Sequence, residues 1–232
     1  MATGAESGEP VGAGDDPPEG PGLHDPLFFV SHANVPGVGT AGDADDFFLD
    51  FFTELSGHVN QLHYRPPGAD PGFLDLDMTG GLRWEREIFK AVGRCAVFVA
   101  LVSSPYVNRD WCGFEWYAFR RRRCWNVELK TWTETNVCTI PVLWAPLTED
   151  QTPPAVSDVE LFRPPTVDVP ALSRSYLRHG MHGLHSVRPD HYSAAVWYLA
   201  QGIKRALDKY RVEPRVPATR AELRNAFETR ES

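Results

Sequence analysis

Residues 96–123 read AVFVALVSSPYVNRDWCGFEWYAFRRRR, and this stretch decides the fold. Its first seven residues, 96–102, are all apolar and do not alternate with polar ones. Such a run is typical of a strand that is buried on both faces, as in a parallel sheet covered by helices. The polar break at Ser103 and Ser104 follows at once, and Pro105 suits a turn or the first turn of a helix. The stretch therefore predicts a central strand whose carboxyl end leads directly into a polar turn.

The second half of the stretch predicts a helix that carries two candidate functional groups. It runs from Trp111 to Arg123, with Asp110 as its N-cap and basic residues at its carboxyl end. Trp111 and Glu115 are four residues apart, so they share one face of the helix. We therefore expect an aromatic ring and a carboxyl group beside the carboxyl end of a central strand, which is where open α/β sheets bind ligands.

Strands and helices alternate through the rest of the chain. Apolar runs predict further strands at 27–30, 73–76 and 139–144, where Pro141 favours a sheet edge, and a last short strand at 167–169. Helical spacing of apolar residues predicts helices at 45–62, 82–93 and 192–207, with shorter helical segments at 173–179 and 221–227. This alternation predicts a three-layer α/β domain with a mainly parallel sheet between two layers of helices.

Composition divides the chain into three parts. Residues 1–25 are rich in Gly, Pro, Glu and Asp, and we expect them to form a disordered leader. The α/β domain spans residues 26–210 and contains a Pro-rich insert at about 146–170. Residues 211–232 are expected to form a polar C-terminal tail.

Charge and hydropathy exclude several classes of protein. The formal net charge of -8 at pH 7 argues against a nucleic-acid-binding protein, which would have a basic balance. No apolar run approaches the roughly 20 residues needed to cross a bilayer, and the N-terminus lacks a signal-sequence pattern. We therefore expect a cytoplasmic protein that does not bind membranes. The four cysteines form no CxxC pair, which favours reduced, packed thiols over a disulfide framework.

Three segments of the chain, the third of which has two parts, together resemble the TIR domain family. Residues 28–32 (FFVSH) resemble the first TIR box, and residues 73–81 (FLDLDMTGG) resemble the second strand and the BB loop. Residues 104–106 (SPY) and 111–115 (WCGFE) resemble the serine-proline turn and the WCxxE segment. The last motif is fairly specific in this order, whereas the first two are weak alone. Over residues 26–210 the chain is most similar to bacterial TIR-like proteins of the FxsC type, which are found beside genes for modified peptides.

This resemblance implies a fold and an activity. The fold is a three-layer, flavodoxin-like TIR fold with a mainly parallel five-stranded sheet in the order 2-1-3-4-5 and helices on both faces. The activity is cleavage of the nicotinamide-ribose bond of NAD in bacterial signalling or defence, by a hydrolase or a cyclase that uses NAD as substrate and needs no cofactor. The essential glutamate of the family motif corresponds to Glu115, and its aromatic residue corresponds to Trp111.

Further residues are expected around that carboxyl group. We expect Ser31, His32, Asp75 and Tyr106 to join Trp111 in binding the substrate, and the glycine-rich backbone at 39–42 to meet its phosphates or ribose. The BB loop is expected to form an interface for homo-oligomers or for another protein partner; it consists of Asp77, Met78, Thr79, Gly80 and Gly81.

Three departures from the family pattern leave the substrate geometry open. The loop after His32 is longer and richer in glycine than is usual, and the BB loop lacks the common Arg-Asp start. The segment from Pro146 to Gly183 is larger than a minimal TIR domain needs.

Other interpretations of the same residues remain. The fold could serve as a non-enzymatic interaction module that recruits another TIR domain or a partner in peptide maturation, or as an enzyme that processes nucleosides and ignores NAD. Glu115 could also be a solvated helix residue, with Trp111 as a core anchor. An open pocket over Glu115 would favour an enzyme, and a buried ion pair between Glu115 and an arginine would favour a scaffold.

Two other clusters predict no site. His179, His182 and His185 recur every third residue, but Gly180 and Gly183 interrupt a helix there, so we predict no metal site. The basic run at 120–123 is expected to be a helix end in solvent.

Overall fold

The computed structural model describes residues 16–33, 43–75, 82–166 and 169–228. The strands are β1 (Phe28–Ser31), β2 (Gly72–Leu74), β3 (Val97–Val102), β4 (Arg123–Asn126), β5 (Thr131–Glu134), β6 (Thr139–Leu143) and β7 (Tyr210–Val212). The helices are α1 (Asp43–Leu62), α2 (Leu82–Arg94), α3 (Ser104–Val107), α4 (Asp110–Arg120), α5 (Pro154–Ser157), α6 (Pro170–Val187) and α7 (Pro189–Lys209). Short 3-10 helices lie at Thr135–Cys138, Glu149–Gln151 and Arg220–Glu222. None of the helices in these ranges is long and apolar enough to span a membrane.

The central sheet is parallel and has the order β2-β1-β3-β6. Its strand order confirms the first four positions of the predicted sheet, but within the described ranges the sheet has four strands instead of five. The predicted strand at 167–169 does not supply the fifth, because residues 167 and 168 lie outside the described residues and Val169 directly precedes α6. The strand that contains Pro141 lies at the end of this order, as the missing backbone donor of proline predicts.

Helices cover both faces of this sheet because neighbouring residues of a strand point in opposite directions. Phe28 packs against Phe52 of α1, with ring centroids 5.8 Å apart. Phe29, the next residue, stacks on Phe98 of β3, and Phe98 in turn contacts Trp116 of α4. These contacts confirm the three-layer α/β arrangement, and they set α4 against the central strands.

A second sheet follows α4 and was not predicted. Strands β5, β4 and β7 pair in antiparallel fashion, and Trp125 and Trp132 face each other across β4 and β5 with ring centroids 5.4 Å apart. The helix that we predicted to reach Arg123 ends at Arg120. The helix ends there because Arg122 turns inward and is only 4% exposed. The prediction that the whole basic run at 120–123 lies in solvent is therefore wrong for Arg122.

The residues after α7 pack against the domain. Val212 in β7 and Phe227 are both buried, although residues 211–232 were expected to form a polar tail. The short helix predicted at 221–227 is a 3-10 helix at Arg220–Glu222 followed by a turn. At the other end of the chain, residues 1–15 of the predicted leader lie outside the described residues.

Helix α6 is longer than the helical segment predicted at 173–179, and it bends at Gly180. The backbone of Gly180 has φ +66°, and an added Cβ would lie 2.5 Å from the carbonyl oxygen of Trp144. The bend brings His182 close enough for its backbone N–H to donate to that carbonyl at 3.0 Å.

All four cysteines are buried and free, as their spacing predicted.

Candidate active site

The carboxyl ends of β1 and β3 bring three distant segments together. β1 ends at Ser31, while β3 leads through Ser103 into α3 and then α4. The Ser103 hydroxyl accepts a hydrogen bond from the backbone N–H of Tyr106 at 3.4 Å and so caps α3. Helix α4 begins shortly afterwards, with Arg109 as its N-cap instead of the predicted Asp110. The turn thus places the Tyr106 side chain and the inner face of α4 beside Ser31.

Ser31, Tyr106 and Glu115 form one buried hydrogen-bond chain. The Ser31 hydroxyl donates to Oε2 of Glu115 at 2.5 Å, and the Ser31 and Tyr106 hydroxyl oxygens are 2.9 Å apart. Because serine has a single hydroxyl hydrogen, Tyr106 donates to Ser31 when Ser31 donates to Glu115. Glu115 is only 5% exposed, so it is not a solvated helix residue. The chain holds the carboxyl group in one orientation.

The surroundings of Glu115 favour its protonated form. Burial raises the pKa of Glu115 to about 8, and the negative charge of Asp75 acts in the same direction. The hydrogen bond from Ser31 opposes this effect because it stabilises the carboxylate. Across the described part of the chain, no arginine or lysine forms an ion pair with Glu115. The buried ion pair expected of a scaffold is therefore not seen in those residues.

Trp111 lies in a stack of aromatic rings. Its ring packs on Trp84 with centroids 4.7 Å apart and on Phe89 with centroids 5.9 Å apart. Its indole N–H lowers the pKa of Glu115, yet this N–H is buried without a hydrogen bond of ordinary geometry to any described residue. Trp111 therefore forms a wall beside the carboxyl group.

The predicted site residues Asp75 and His32 do not belong to the hydrogen-bond chain of Ser31, Tyr106 and Glu115. The Asp75 carboxylate accepts a hydrogen bond from the indole N–H of Trp84 at 2.8 Å, so it belongs to the same wall. The His32 ring packs against Phe48 of α1, with centroids 4.4 Å apart, and its backbone carbonyl faces the thiol of Cys112 at 3.4 Å. The predicted BB-loop interface at 77–81 and the glycine-rich backbone at 39–42 lie outside the described residues.

A wide cleft lies elsewhere, on another part of α4. It has a volume of about 760 Å³ and is lined by Trp116 and Tyr117 of α4, by Asp158 after α5 and by Arg224. Glu115 does not line it. Phe227 was not predicted as a site residue, yet it is buried against Tyr106 with ring centroids 5.6 Å apart. The only signal for it in the sequence is a bulky apolar residue within an otherwise polar tail.

Comparison with known proteins supports the family resemblance for the middle of the chain. Residues 59–162 match the family model described as TIR domain. This segment contains Asp75, Tyr106, Trp111 and Glu115, whereas Ser31 precedes it. The comparisons with curated proteins and with solved structures gave no match. This match and the parallel sheet around β3 make residues 59–162 similar to TIR domains in sequence and consistent with them in fold.

Proposed function

We propose that this chain cleaves the bond between nicotinamide and ribose in NAD, as a hydrolase or a cyclase, with Glu115 as its catalytic carboxyl group. The observation that carries this proposal is the buried hydrogen-bond chain from Tyr106 through Ser31 to Glu115. It lies at the carboxyl edge of a parallel sheet, which is where open α/β folds bind ligands. The match of residues 59–162 to the TIR domain model supports a signalling or NAD-cleaving module in general terms.

The chemistry of the reaction suits a single carboxyl group. Nicotinamide is a cationic pyridinium in NAD and leaves as a neutral molecule, so its departure needs little help from an acid. What remains is a ribosyl cation, which a nearby carboxylate stabilises through its charge or through hydrogen bonds to the ribose hydroxyls. The paired carboxyl groups of ordinary glycosidases are therefore unnecessary. Glu115 would act in a buried site, where charge interactions are stronger than in water.

The protonation of Glu115 adds selectivity for a cationic substrate. With a pKa of about 8, this carboxyl group is largely protonated at neutral pH in the resting protein. A positive charge nearby lowers the pKa of a carboxyl group. A bound pyridinium would therefore favour loss of the Glu115 proton, and the carboxylate would form where the ribosyl cation develops. Neutral nucleosides lack this charge and would leave Glu115 protonated.

A second candidate function is a non-enzymatic interaction module, with a role in recruiting another TIR domain or a partner in peptide maturation. The low exposure of Glu115, 5%, favours it, because a substrate must reach a catalytic carboxyl group. So does the position of the 760 Å³ cleft, which lies on another side of α4 and is not lined by Glu115. In this case Glu115 would serve to anchor α4 to β1 through Ser31.

Nicotinamide release separates the two functions. Concentrated wild-type protein, with a crowding agent to favour assembly, is incubated with NAD, and nicotinamide, ADP-ribose and cyclic ADP-ribose are measured by chromatography. Glu115→Gln keeps the size of the side chain and removes its charge, while Glu87→Gln makes the same change at an exposed position of α2. Release by wild type and Glu87→Gln but not by folded Glu115→Gln is the expected result. Silence from all three, with assembly confirmed, would favour the interaction module.

A further inference from the structure

The last described residues of the chain lie along the outer side of α4. We name residues 219–228 the C-terminal clamp. The backbone N–H of Ala226 donates to the carbonyl of Gly113 at 3.3 Å, and the Asn225 side-chain amide donates to the Asp110 carboxylate at 3.0 Å. These bonds join the clamp to the first two turns of α4, which carry Trp111 and Glu115.

Two arginines of the clamp extend this contact along the helix. The Arg220 guanidinium lies over the Phe114 ring at 4.6 Å and near the Trp111 ring at 6.0 Å. The Arg224 guanidinium lies over Tyr117 at 4.9 Å. A cation over an aromatic ring is attracted by the negative face of the ring. The clamp thus contacts successive aromatic residues on the side of α4 that faces away from the sheet.

Phe227 links the clamp to the buried hydrogen-bond chain. Its side chain is 9% exposed, and its ring packs on Tyr106 at 5.6 Å and on Trp116 at 5.8 Å between centroids. The Tyr106 hydroxyl is bonded to Ser31, which is bonded to Glu115. Contacts therefore run without a gap from the clamp to the carboxyl group.

We propose that the C-terminal clamp completes the candidate active site, and that Phe227 is a positioning residue that holds Tyr106, Ser31 and Glu115 in their arrangement. The inference deepens the proposed function and rests on it for its catalytic meaning. It concerns residues that lie outside the segment 59–162 that matches the TIR family, so the clamp is a feature of this chain beyond that match.

The C-terminal clamp lies so close to α4 at Gly113 that a substitution in the helix can be used to displace it. A Cβ added at Gly113 would lie 1.8 Å from the side-chain oxygen of Asn225 and 3.2 Å from the backbone nitrogen of Ala226. Gly113→Ala should therefore displace the clamp without changing any of its residues. Gly57→Ala is the matched control, because it makes the same change within α1 where an added Cβ meets nothing within 4 Å.

Displacement of the clamp should be visible in the titration of Glu115. The groups that face this carboxyl are Ser31, Trp111 and Asp75, while the Tyr106 and Cys112 side chains are influenced by its charge. Burial is the largest cause of its raised pKa. When water enters after loss of the Phe227 ring, the carboxylate becomes better solvated and the pKa of Glu115 falls.

The experiment is an infrared titration of the full-length protein, with the protonated Glu115 band identified by its loss in Glu115→Gln. We expect the pKa of Glu115 to fall from about 8 to roughly 7 or below in Phe227→Ala and in Gly113→Ala. It should stay near its wild-type value in Phe227→Leu, which keeps an apolar side chain, and in Gly57→Ala. Gly113→Ala tests the same contact if Phe227→Ala does not fold.

Two outcomes would overturn the proposal. One is an unchanged Glu115 titration in folded Phe227→Ala and Gly113→Ala. The other is a shifted titration with kcat for nicotinamide release unchanged in Phe227→Ala, since a positioning residue should lower kcat about tenfold while leaving KM nearly constant. The titration needs no turnover, so wild-type protein that fails to cleave NAD but shows the predicted shifts would count against the proposed function and not against the clamp.

Discussion

At the scale of single residues, two effects act in opposite directions on the Glu115 carboxyl group. Burial favours its protonated form, whereas the hydrogen bond from Ser31 favours its charged form. A catalytic carboxyl group that is charged only when a cation is bound needs burial to keep it protonated in the resting protein. It also needs a hydrogen bond that stabilises the carboxylate once the cation has bound. Ser31 therefore has a distinct role, which is to keep the charged form within reach at neutral pH.

Ser31→Ala should raise the pKa of Glu115 above its value of about 8. A hydrogen bond to a charged group is worth about 1.5–3 kcal/mol, so nicotinamide release at pH 7 should fall roughly tenfold to a hundredfold. Ser56→Ala is a suitable control, because the Ser56 hydroxyl is buried in α1 and has no hydrogen-bond partner among the described residues. Equal rates for Ser31→Ala and wild type would show that this bond does not assist catalysis.

Glu115 should also make the stability of the protein depend on pH. Its pKa rises from 4.5 to about 8 on folding, so between these values the folded state keeps a proton that the unfolded state has lost. The free energy of unfolding contributed by this group is therefore complete below about pH 4.5 and is lost as the pH rises through about 8. Glu115→Gln does not titrate, and relative to wild type it should gain on the order of a few kcal/mol between pH 5 and pH 9. Urea unfolding at pH 5, 7 and 9 measures this gain, and a difference between the two proteins that is constant with pH would contradict it.

At the scale of elements, Arg122 determines how α4 ends. Its guanidinium donates to the carbonyls of Val92 in the last turn of α2 and of Cys95 just after it, at 2.9 and 2.7 Å. It also donates to the carbonyl of Glu213 after β7 at 2.8 Å. One buried side chain thereby joins the end of α4 to two other segments of the chain. The neighbouring Arg123 is exposed and forms an ion pair with the Glu213 carboxylate at 2.9 Å.

Arg122→Lys should destabilise the protein by about 3 kcal/mol or more, because an ammonium group cannot reproduce the planar fork of donors and leaves buried carbonyls unpaired. The same substitution at Arg94, whose exposed guanidinium pairs with the Asp25 carboxylate through one nitrogen at 3.1 Å, should cost no more than about 1 kcal/mol, as is usual for exposed ion pairs. Urea unfolding of both variants measures the difference. Similar losses for the two substitutions would indicate that burial of the Arg122 guanidinium has little effect on stability.

Elements with strong periodicity could be predicted from the sequence, and those formed by distant pairing could not. The apolar run of β3 and the helical spacing in α1, α2 and α7 predicted those elements because each forms from local patterns. The sheet of β5, β4 and β7 was missed because β7 pairs with β4 only after the whole of α7 has intervened. Arg122 could not be distinguished from its three neighbouring arginines, since its burial depends on carbonyls supplied by other elements.

At the scale of the whole molecule, the candidate site combines residues from widely separated parts of the chain. Glu115 and Ser31 were predicted as site residues on the strength of the family resemblance, and the hydrogen bond between them is consistent with that prediction. Burial of Glu115 could not be predicted, because it depends on how α4 packs against β1. The contact of Tyr106 with Phe227 could not be predicted either, because it depends on packing of the C-terminal residues. The site is therefore a property of the folded chain and not of the TIR-matching segment alone.

Assembly of several copies of the protein should increase its proposed NAD-cleaving activity. The resemblance to TIR domains implies a site that is completed by contacts between copies, so we expect the rate of NAD cleavage per protein molecule to increase with protein concentration. Nicotinamide release is measured over a hundredfold range of concentrations, in parallel with the oligomeric state by light scattering. A constant rate per molecule across a range in which the oligomeric state changes would show that a single copy contains the whole site.

The most direct test of the account is the release of nicotinamide from NAD by assembled wild-type protein and by Glu115→Gln under the same conditions. Release by wild type that falls to background in the folded variant is the result we predict. Equal release by the two proteins would contradict the role of Glu115, and release by neither would leave the chain as an interaction module with a buried carboxyl group at the base of α4.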